Sequence, residues 1–302
     1  MANNNSKSAI KHVLCPTDLS LNSQKTLGFA ARLCDDLSAQ LTAVHILKAQ
    51  WFTPSIDLNE NHSEIEDEMK QPILACSRHG DSNLKWRTSV IENSFDPSRD
   101  ILNLAKETNV DLIVMKARPG IMSAFRFGSI VERVVAGSAC PVLIFPTRYL
   151  ANREPDVDGI NFEQILFDYD FSQATDDLYR LVRSMSEGLS AKLHVLSVLE
   201  PPSEGVPEFA GVGENMDVLG RVVSKKLERV VASGGPRRSP VQAAVKWGER
   251  AQTVLNYAAD HKIDLLCSTL SPPHFSYEKF YSVYLGQLLN SAQCPILVKQ
   301  SV

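Results

Sequence analysis

The sequence has 302 residues, of which 44% are hydrophobic and 22% charged, and its formal net charge is −4. These values are ordinary for a globular protein, and the length allows two domains. The chain has no Lys/Arg tract, no apolar start and no apolar run of about 20 residues, so we expect no nucleic-acid partner, signal peptide or membrane span. The six cysteines are scattered without metal-ligand spacing, which predicts no metal site and a reducing, cytoplasmic location.

Short apolar stretches alternate with helical patterns along the first half. The predicted strands are Val13–Cys15, Leu41–Leu47, Lys85–Ile91, Leu112–Met115 and Val142–Phe145. The helices predicted between them are Ser23–Leu37, Glu64–His79, Pro97–Thr108 and Ser129–Ala136. Short apolar strands between helices indicate a mainly parallel sheet that is covered on both faces.

The second half repeats this pattern. Asp18 and Ser20 match Asp170 and Ser172, 152 residues later, and Cys140-Pro141 matches Cys294-Pro295, 154 residues later. The predicted strands of this half are Ile165–Phe167, Leu193–Leu199, Val241–Val245, Leu265–Ser268 and Ile296–Lys299. We therefore predict a duplicated α/β domain, with copies at residues 1–147 and 160–302 and a polar linker at 148–159.

In doubly wound sheets, ligands bind beyond the carboxyl ends of the strands. Pro16-Thr17-Asp18 follows the first strand, Met115-Lys116 ends the fourth, and Gly128-Ser129 introduces the next helix. Backbone N–H groups at a helix start favour a phosphate. Asp18 can accept a hydrogen bond from a ribose or base, and Ser129 can donate one to a phosphate, so this set predicts a nucleotide site.

At these residues the sequence resembles the universal stress protein family. Further motifs that carry the resemblance are Val44-His45-Ile46, Asp111–Met115, Glu132-Arg133-Val134 and Cys140–Leu143. The resemblance implies two tandem copies of a Rossmann-like, doubly wound five-stranded parallel sheet, similar to the adenine-nucleotide alpha-hydrolases. It also implies ATP as a ligand, with contacts from Pro16, Thr17, Asp18, Val44, Met115, Lys116, Gly128, Ser129 and Ile130.

The sequence departs from the family's glycine-rich loop, G-x2-G-x9-G-[S/T]. Lys116 replaces the first glycine, and only Gly120 can replace the second; the charges of Lys116, Arg118 and Arg126 are an alternative means of holding phosphate. In the second half, the corresponding positions are Thr269, Pro272 and Ser282-Val283. Bulky residues keep a backbone away from phosphate. We therefore expect any nucleotide in the first half and a degenerate second site.

Several of these residues also have simpler interpretations. Asp18 and Asp170 fit helix N-terminal positions that complement a dipole. Asp168 and Asp170 form either a cation-binding pair or, as we favour, a solvated loop end. The aromatic residues Phe275, Tyr277, Phe280 and Tyr281 fit packing over the sheet edge better than a site for an apolar ligand.

The absence of catalytic motifs predicts the kind of function. No P-loop, GxGxxG, HExxH or nucleophile elbow occurs, and no catalytic residue is assigned, so we expect a cytoplasmic stress-response binding protein rather than an enzyme. Two alternatives stay open. One is a nucleotide-using enzyme of the same fold class, such as a weak ATPase or an adenylating or phosphate-transferring protein, and the other is a structural pseudo-dimer without ligand.

The terminal strands predict how the halves associate. Val142–Phe145 and Ile296–Lys299 are mostly apolar and lie at a sheet edge in the family arrangement, where unpaired N–H and C=O groups favour strand pairing. We expect the two strands to pair antiparallel in an intramolecular pseudo-dimer. Further association into a homo-oligomer stays open.

Overall fold

A computed structural model describes residues 10–49, 58–76, 84–117, 130–154, 161–201, 212–233, 239–270 and 279–300, without the side chains of 58–61, 174, 212–215 and 279–282. The chain divides into two compact units. The first comprises Met1–Asn161 and Pro295–Gln300, and the second comprises Phe162–Cys294 and Ser301–Val302.

The first unit is a sheet with helices between its strands. Its elements in chain order are β1 His12–Thr17, α1 Leu21–Leu37, β2 Gln40–Lys48, α2 Leu58–Cys76, β3 Lys85–Ser94, α3 Pro97–Glu107, β4 Leu112–Lys116, α4 Ile130–Gly137, β5 Val142–Phe145 and α5 Thr147–Ala151. The strand order β3-β2-β1-β4-β5 is parallel throughout, as predicted. α1 packs against α2, and α3 against α4. β1 and β4 are central and almost fully buried, which explains their continuous apolar sequences.

The second unit repeats this order. Its elements are β6 Gln164–Asp168, α6 Gln173–Leu189, β7 Lys192–Leu199, α7 Val212–Ala232, β8 Val241–Trp247, α8 Arg250–Asp260, β9 Leu265–Leu270 and α9 Lys279–Ser291. The strands are parallel in the order β9-β6-β7-β8. The fifth strand predicted for this half also forms, as β10 (Ile296–Gln300), but it belongs to the first unit and pairs antiparallel with β5.

The repeat extends to backbone details. Leu19 and Phe171 both have positive φ angles, of 61° and 62°, at the turn before the first helix of each unit. Ser38 and Ser190 end those helices in the left-handed conformation, with φ angles of 54° and 57°. A non-glycine residue with positive φ is uncommon. Pairs at one constant spacing therefore support the duplication independently of side-chain identity.

The predicted linker is partly structured. Residues Thr147–Ala151 form α5, which packs against α1, and Leu150 is fully buried. The carbonyl of Leu150 accepts a hydrogen bond from Lys25, which also pairs with Glu154. The apolar Tyr149-Leu150 pair explains the difference, because Tyr149 packs against Phe29 and Phe145 instead of extending into solvent.

Candidate functional site

The turn after β1 is organised around Asp18. Its Oδ1 accepts hydrogen bonds from the backbone N–H of Ser20 at 3.2 Å and from the hydroxyls of Ser20 and Ser23 at 2.7 Å. Ser20 is the N-cap of α1, since its side chain accepts from the N–H of Ser23. Asp18 is therefore not the cap itself; it orients the residues that form the cap.

Lys116 brings the end of β4 to the same carboxylate. Its Nζ lies 2.9 Å from Asp18 Oδ1 and also donates to the Ser20 hydroxyl. Partial burial acts to raise the pKa of Asp18, but hydrogen bonds from Lys116, Ser23 and Ser20 outweigh it and hold this pKa well below its ordinary value. The carboxylate therefore remains ionised across the physiological pH range, with a cation beside it.

A cleft opens next to this ion pair, at the carboxyl ends of β1 and β4. It is lined by Pro16, Thr17, Asp18, Ser23, Ile46, Lys48, Pro97, Ile101, Met115, Lys116, Ile130 and Val131. Most of this lining is apolar, and the charged groups lie at the strand ends. Such a cleft suits a ligand that has a flat apolar part and a polar or charged end.

Six of the nine predicted contacts meet in this cleft: Pro16, Thr17, Asp18, Met115, Lys116 and Ile130. Val44 is fully buried in β2 and is not part of the lining; Ile46 and Lys48, further along the same strand, are. Gly128 and Ser129, like the loop residues Arg118, Gly120 and Arg126, lie outside the described residues. Sequence reasoning missed Pro97 and Ile101 because α3 reaches the cleft only through the winding of the sheet.

The second unit has a different arrangement at the corresponding place. Asp168, at the end of β6, is 1% exposed, and its Oδ2 lies 2.7 Å from Arg250 Nη2. The same oxygen accepts hydrogen bonds from the hydroxyls of Tyr284 at 2.6 Å and Ser268 at 3.0 Å. The interpretation of Asp168 as a solvated loop end is therefore wrong, because this carboxylate is buried and its cationic partner is a guanidinium.

Asp170, the counterpart of Asp18, belongs to the same cluster. It accepts a hydrogen bond from Thr175 and lies 3.7 Å from Arg250 Nη2. Burial acts to raise the pKa of Asp170, but hydrogen bonds from Thr175 and Ser172 and the charge of Arg250 lower it. Burial likewise acts to lower the pKa of Arg250, but the Asp168 charge more than compensates and raises it. Both groups are thus fixed in their charged forms.

Two histidines that could take part in catalysis, His45 and His194, have structural roles. His45 Nδ1 contacts the carbonyl oxygen of Thr17 at 2.9 Å. His194 is buried between Tyr257 and Gln164, and this burial lowers its pKa to about 4.

In the described parts of the chain, no group of three or more His, Cys, Asp or Glu side chains is placed to hold a metal ion. No helix in the described ranges has the length and apolar content needed to cross a bilayer.

Comparison with known proteins agrees with these observations. The sequence profile of the universal stress protein family matches residues 9–146. Universal stress protein YxiE of Bacillus subtilis is 29% identical over 144 residues, which are 44% of this chain and 96% of that protein. Universal stress protein MJ0531 of Methanocaldococcus jannaschii is 25% identical over 146 residues, covering 46% of this chain and 84% of that protein.

The similarity of fold extends over both halves. The crystal structure of a universal stress protein from Archaeoglobus fulgidus aligns with 96% of this chain and 96% of its own, at 19% identity and a TM-score of 0.67. The sequence match thus covers the first half, and the structural match covers 96% of the chain. Residues 9–146 therefore match the universal stress protein family, and the second unit shares the α/β fold of the Archaeoglobus fulgidus protein.

Proposed function

We propose that the cleft of the first unit binds ATP or a related adenine nucleotide, and that the protein acts in the cytoplasmic stress response by binding rather than by turnover. The observation that carries the proposal is the Asp18–Lys116 ion pair, which lies beside a largely apolar cleft at the carboxyl ends of β1 and β4. This edge is where doubly wound sheets bind nucleotides.

The lining offers a partner for each part of a nucleotide. Ile46, Ile101 and Val131 can cover the apolar faces of a base. Asp18, which stays ionised, can accept a hydrogen bond from a ribose hydroxyl. Lys116 can exchange part of its contact with Asp18 for a phosphate oxygen. The family resemblance assigns further phosphate contacts to Gly128 and Ser129.

Binding without turnover is supported by the protonation state of the cleft. A general base is most effective when its pKa lies near the working pH. The carboxylate in the described lining, Asp18, has a strongly lowered pKa and is already paired with Lys116, so it is a poor proton acceptor. The described lining contains neither a histidine nor a cysteine that would serve as a base or nucleophile.

We propose further that the second unit has lost its nucleotide site. Four side chains occupy the region that forms the cleft in the first unit: Asp168, Arg250, Ser268 and Tyr284. A base or ribose would have to displace Arg250 from Asp168 and leave a buried carboxylate without its cation. The free-energy cost of an unpaired buried charge opposes this.

Calorimetric titration with ATP tests both proposals. Lys116→Met and Asp18→Asn should each weaken binding at least tenfold, about 1.4 kcal/mol, whereas the matched second-unit variant Asp170→Asn should bind as the unmodified protein does. Circular dichroism should show that Asp18→Asn still folds, and Lys116→Met leaves the hydrogen bonds of Ser20 and Ser23 to Asp18 intact. An equal loss of ATP affinity in Asp170→Asn contradicts the proposal that only the first unit binds nucleotide.

Titration of the unmodified protein with ATP distinguishes nucleotide binding from the two alternatives, a ligand-free pseudo-dimer and an enzyme. No heat of binding at millimolar ATP contradicts nucleotide binding and favours the ligand-free pseudo-dimer. Accumulation of ADP, AMP or an adenylated product during the titration contradicts binding without turnover and favours an enzyme.

A further inference from the structure

The second unit contains a cavity away from the Asp168–Arg250 cluster, between helices α6 and α7. Its volume is about 640 Å³, within the range of roughly 300–1,000 Å³ typical of small-molecule sites. It is lined by three aromatic side chains (Tyr169, Phe171, Tyr179), three basic ones (Arg180, Arg183, Lys226), two carboxylates (Asp176, Glu187) and Ser184, Val230 and Ser233.

The aromatic side chains form a fixed wall. Tyr169 meets Phe171 edge to face with 5.0 Å between ring centroids, and it meets Tyr179 in the same way at 5.6 Å. Tyr169 and Tyr179 are 2% and 5% exposed and Phe171 is half-buried, so the two tyrosines anchor the wall in the unit. The Tyr169 hydroxyl donates to Asp176, and burial together with that carboxylate raises the pKa of Tyr169, which keeps the phenol neutral.

Arg183 lines the cavity and, within the described ranges, carries a buried polar group without a partner. The residue is 8% exposed, its Nε lies 3.5 Å from Glu187 Oε1, and its Nη2 has no hydrogen-bond acceptor among the described residues. Leaving a buried guanidinium N–H without an acceptor is costly, because the group has lost its water. Because Arg183 is part of the lining, a small rotation of its guanidinium would bring this N–H to an acceptor bound in the cavity and remove the cost. Lys226, at the exposed rim, lies with its Nζ 4.5 Å from the centroid of the Phe171 ring.

The first unit has no equivalent basic group. The residue 152 positions before Arg183 is Ala31, which is fully buried, and there α1 packs directly against α2. In the second unit, α6 and α7 instead flank the cavity. The cavity is therefore a feature of this unit and not a general property of the shared fold.

The charges of the lining favour a monoanion. Two of the three cations already have carboxylate partners, since Arg180 pairs with Asp177 and Arg183 Nε with Glu187. Asp176 and Glu187 would repel a dianion such as a phosphate monoester. One carboxylate on an aromatic body matches both the Arg183 Nη2 donor and the aromatic wall.

We propose that this cavity binds a small aromatic monocarboxylate, with the carboxylate on Arg183 and the ring against Tyr169 and Tyr179. The probe for the test is 2-naphthoate, titrated into the full chain by calorimetry, with the neutral isostere 2-naphthalenemethanol in a parallel titration. We expect one naphthoate per chain and at least tenfold weaker binding of the alcohol. No binding of naphthoate at millimolar concentration, or equal binding of the alcohol, overturns the proposal.

Two variants locate the probe. Arg183→Leu should weaken naphthoate binding at least tenfold, and the matched control Arg153→Leu, which removes an arginine over the Tyr149 ring of the first unit, should leave it unchanged. Ser184→Trp, at an exposed position of the lining, should block the cavity even if Arg183→Leu fails to fold. Unchanged affinity in Ser184→Trp, or in a folded Arg183→Leu, shows that naphthoate binds elsewhere and overturns the proposal.

Discussion

The first and second units place different chemistry at the same point of one fold. Where the first unit has Pro16, Pro97, Met115 and Ile130, the second has Asp168, Arg250, Ser268 and Tyr284. The four residues of the first unit have no polar side-chain groups that could hold one another across the sheet, and a cleft is present between them. In the second unit, Arg250, Ser268 and Tyr284 make ionic and hydrogen-bonded contacts to one carboxylate oxygen of the fourth residue, Asp168. The difference shows that the same place in one fold can hold either an apolar cleft or a set of side chains that bind each other.

The largest effect is expected when this cluster is broken. Arg250→Leu leaves Asp168 buried without its cation, and it should lower the free energy of unfolding by about 4 kcal/mol. The double variant Asp168→Leu with Arg250→Leu should cost less, because no charge is then left unpaired. Denaturant unfolding measures both values, with the exposed Arg180→Leu as a control that should change stability by less than about 0.5 kcal/mol. A double variant less stable than Arg250→Leu would contradict the account.

The next effect concerns β5, which lies between β4 and β10 in the first unit. Ile144→Pro removes an N–H donor from this inner strand and should lower the free energy of unfolding by about 3 kcal/mol. The control Ile144→Val keeps the donor and should cost only about 1 kcal/mol. Hydrogen exchange should show slow amides in both Val142–Phe145 and Ile296–Gln300 of the unmodified protein. Fast exchange in one strand with protection in the other would show that the two do not pair in solution.

A smaller effect depends on pH and is confined to the second unit. His194 has Thr42 at the matching place in the first unit. Burial lowers the pKa of His194 to about 4, so between pH 6.5 and 4 the unfolded chain binds a proton that the folded chain does not. Stability should therefore fall as pH falls through this window, by about 2 kcal/mol at pH 5 from this residue alone. Unfolding measured at pH 7 and pH 5 should show that His194→Gln reduces this loss; an unchanged loss would contradict it.

The fold could be predicted largely from local patterns. The apolar stretch Leu112–Met115 forms a strand within one residue of the predicted bounds, because both faces of this strand are buried. The strand predicted at Lys85–Ile91 is half-exposed and runs three residues further, to Ser94. The repeat was visible because Asp18 and Asp170 keep the same role of accepting hydrogen bonds at the start of a helix. The polar composition of 148–159 was a poor guide, since Tyr149 and Leu150 pack on the first unit.

The site could be predicted only in part, because its residues meet through the winding of the sheet. Asp18 follows β1 and Lys116 ends β4, and the two strands are parallel neighbours, so their proximity could be inferred from topology. Asp168 and Arg250 are 82 residues apart, and neither belongs to a motif. The sequence contains one signal for this pair: Asp168 and Arg250 stand where the first half has Pro16 and Pro97. This signal is seen only when the two halves are compared position by position.

Native mass spectrometry of the intact chain with ATP tests the central difference between the units most directly. The cleft of the first unit and the proposed loss of the second site predict one nucleotide per chain, which is lost in Lys116→Met and retained in Asp170→Asn. Two nucleotides per chain, or one that disappears only in Asp170→Asn, would contradict the account.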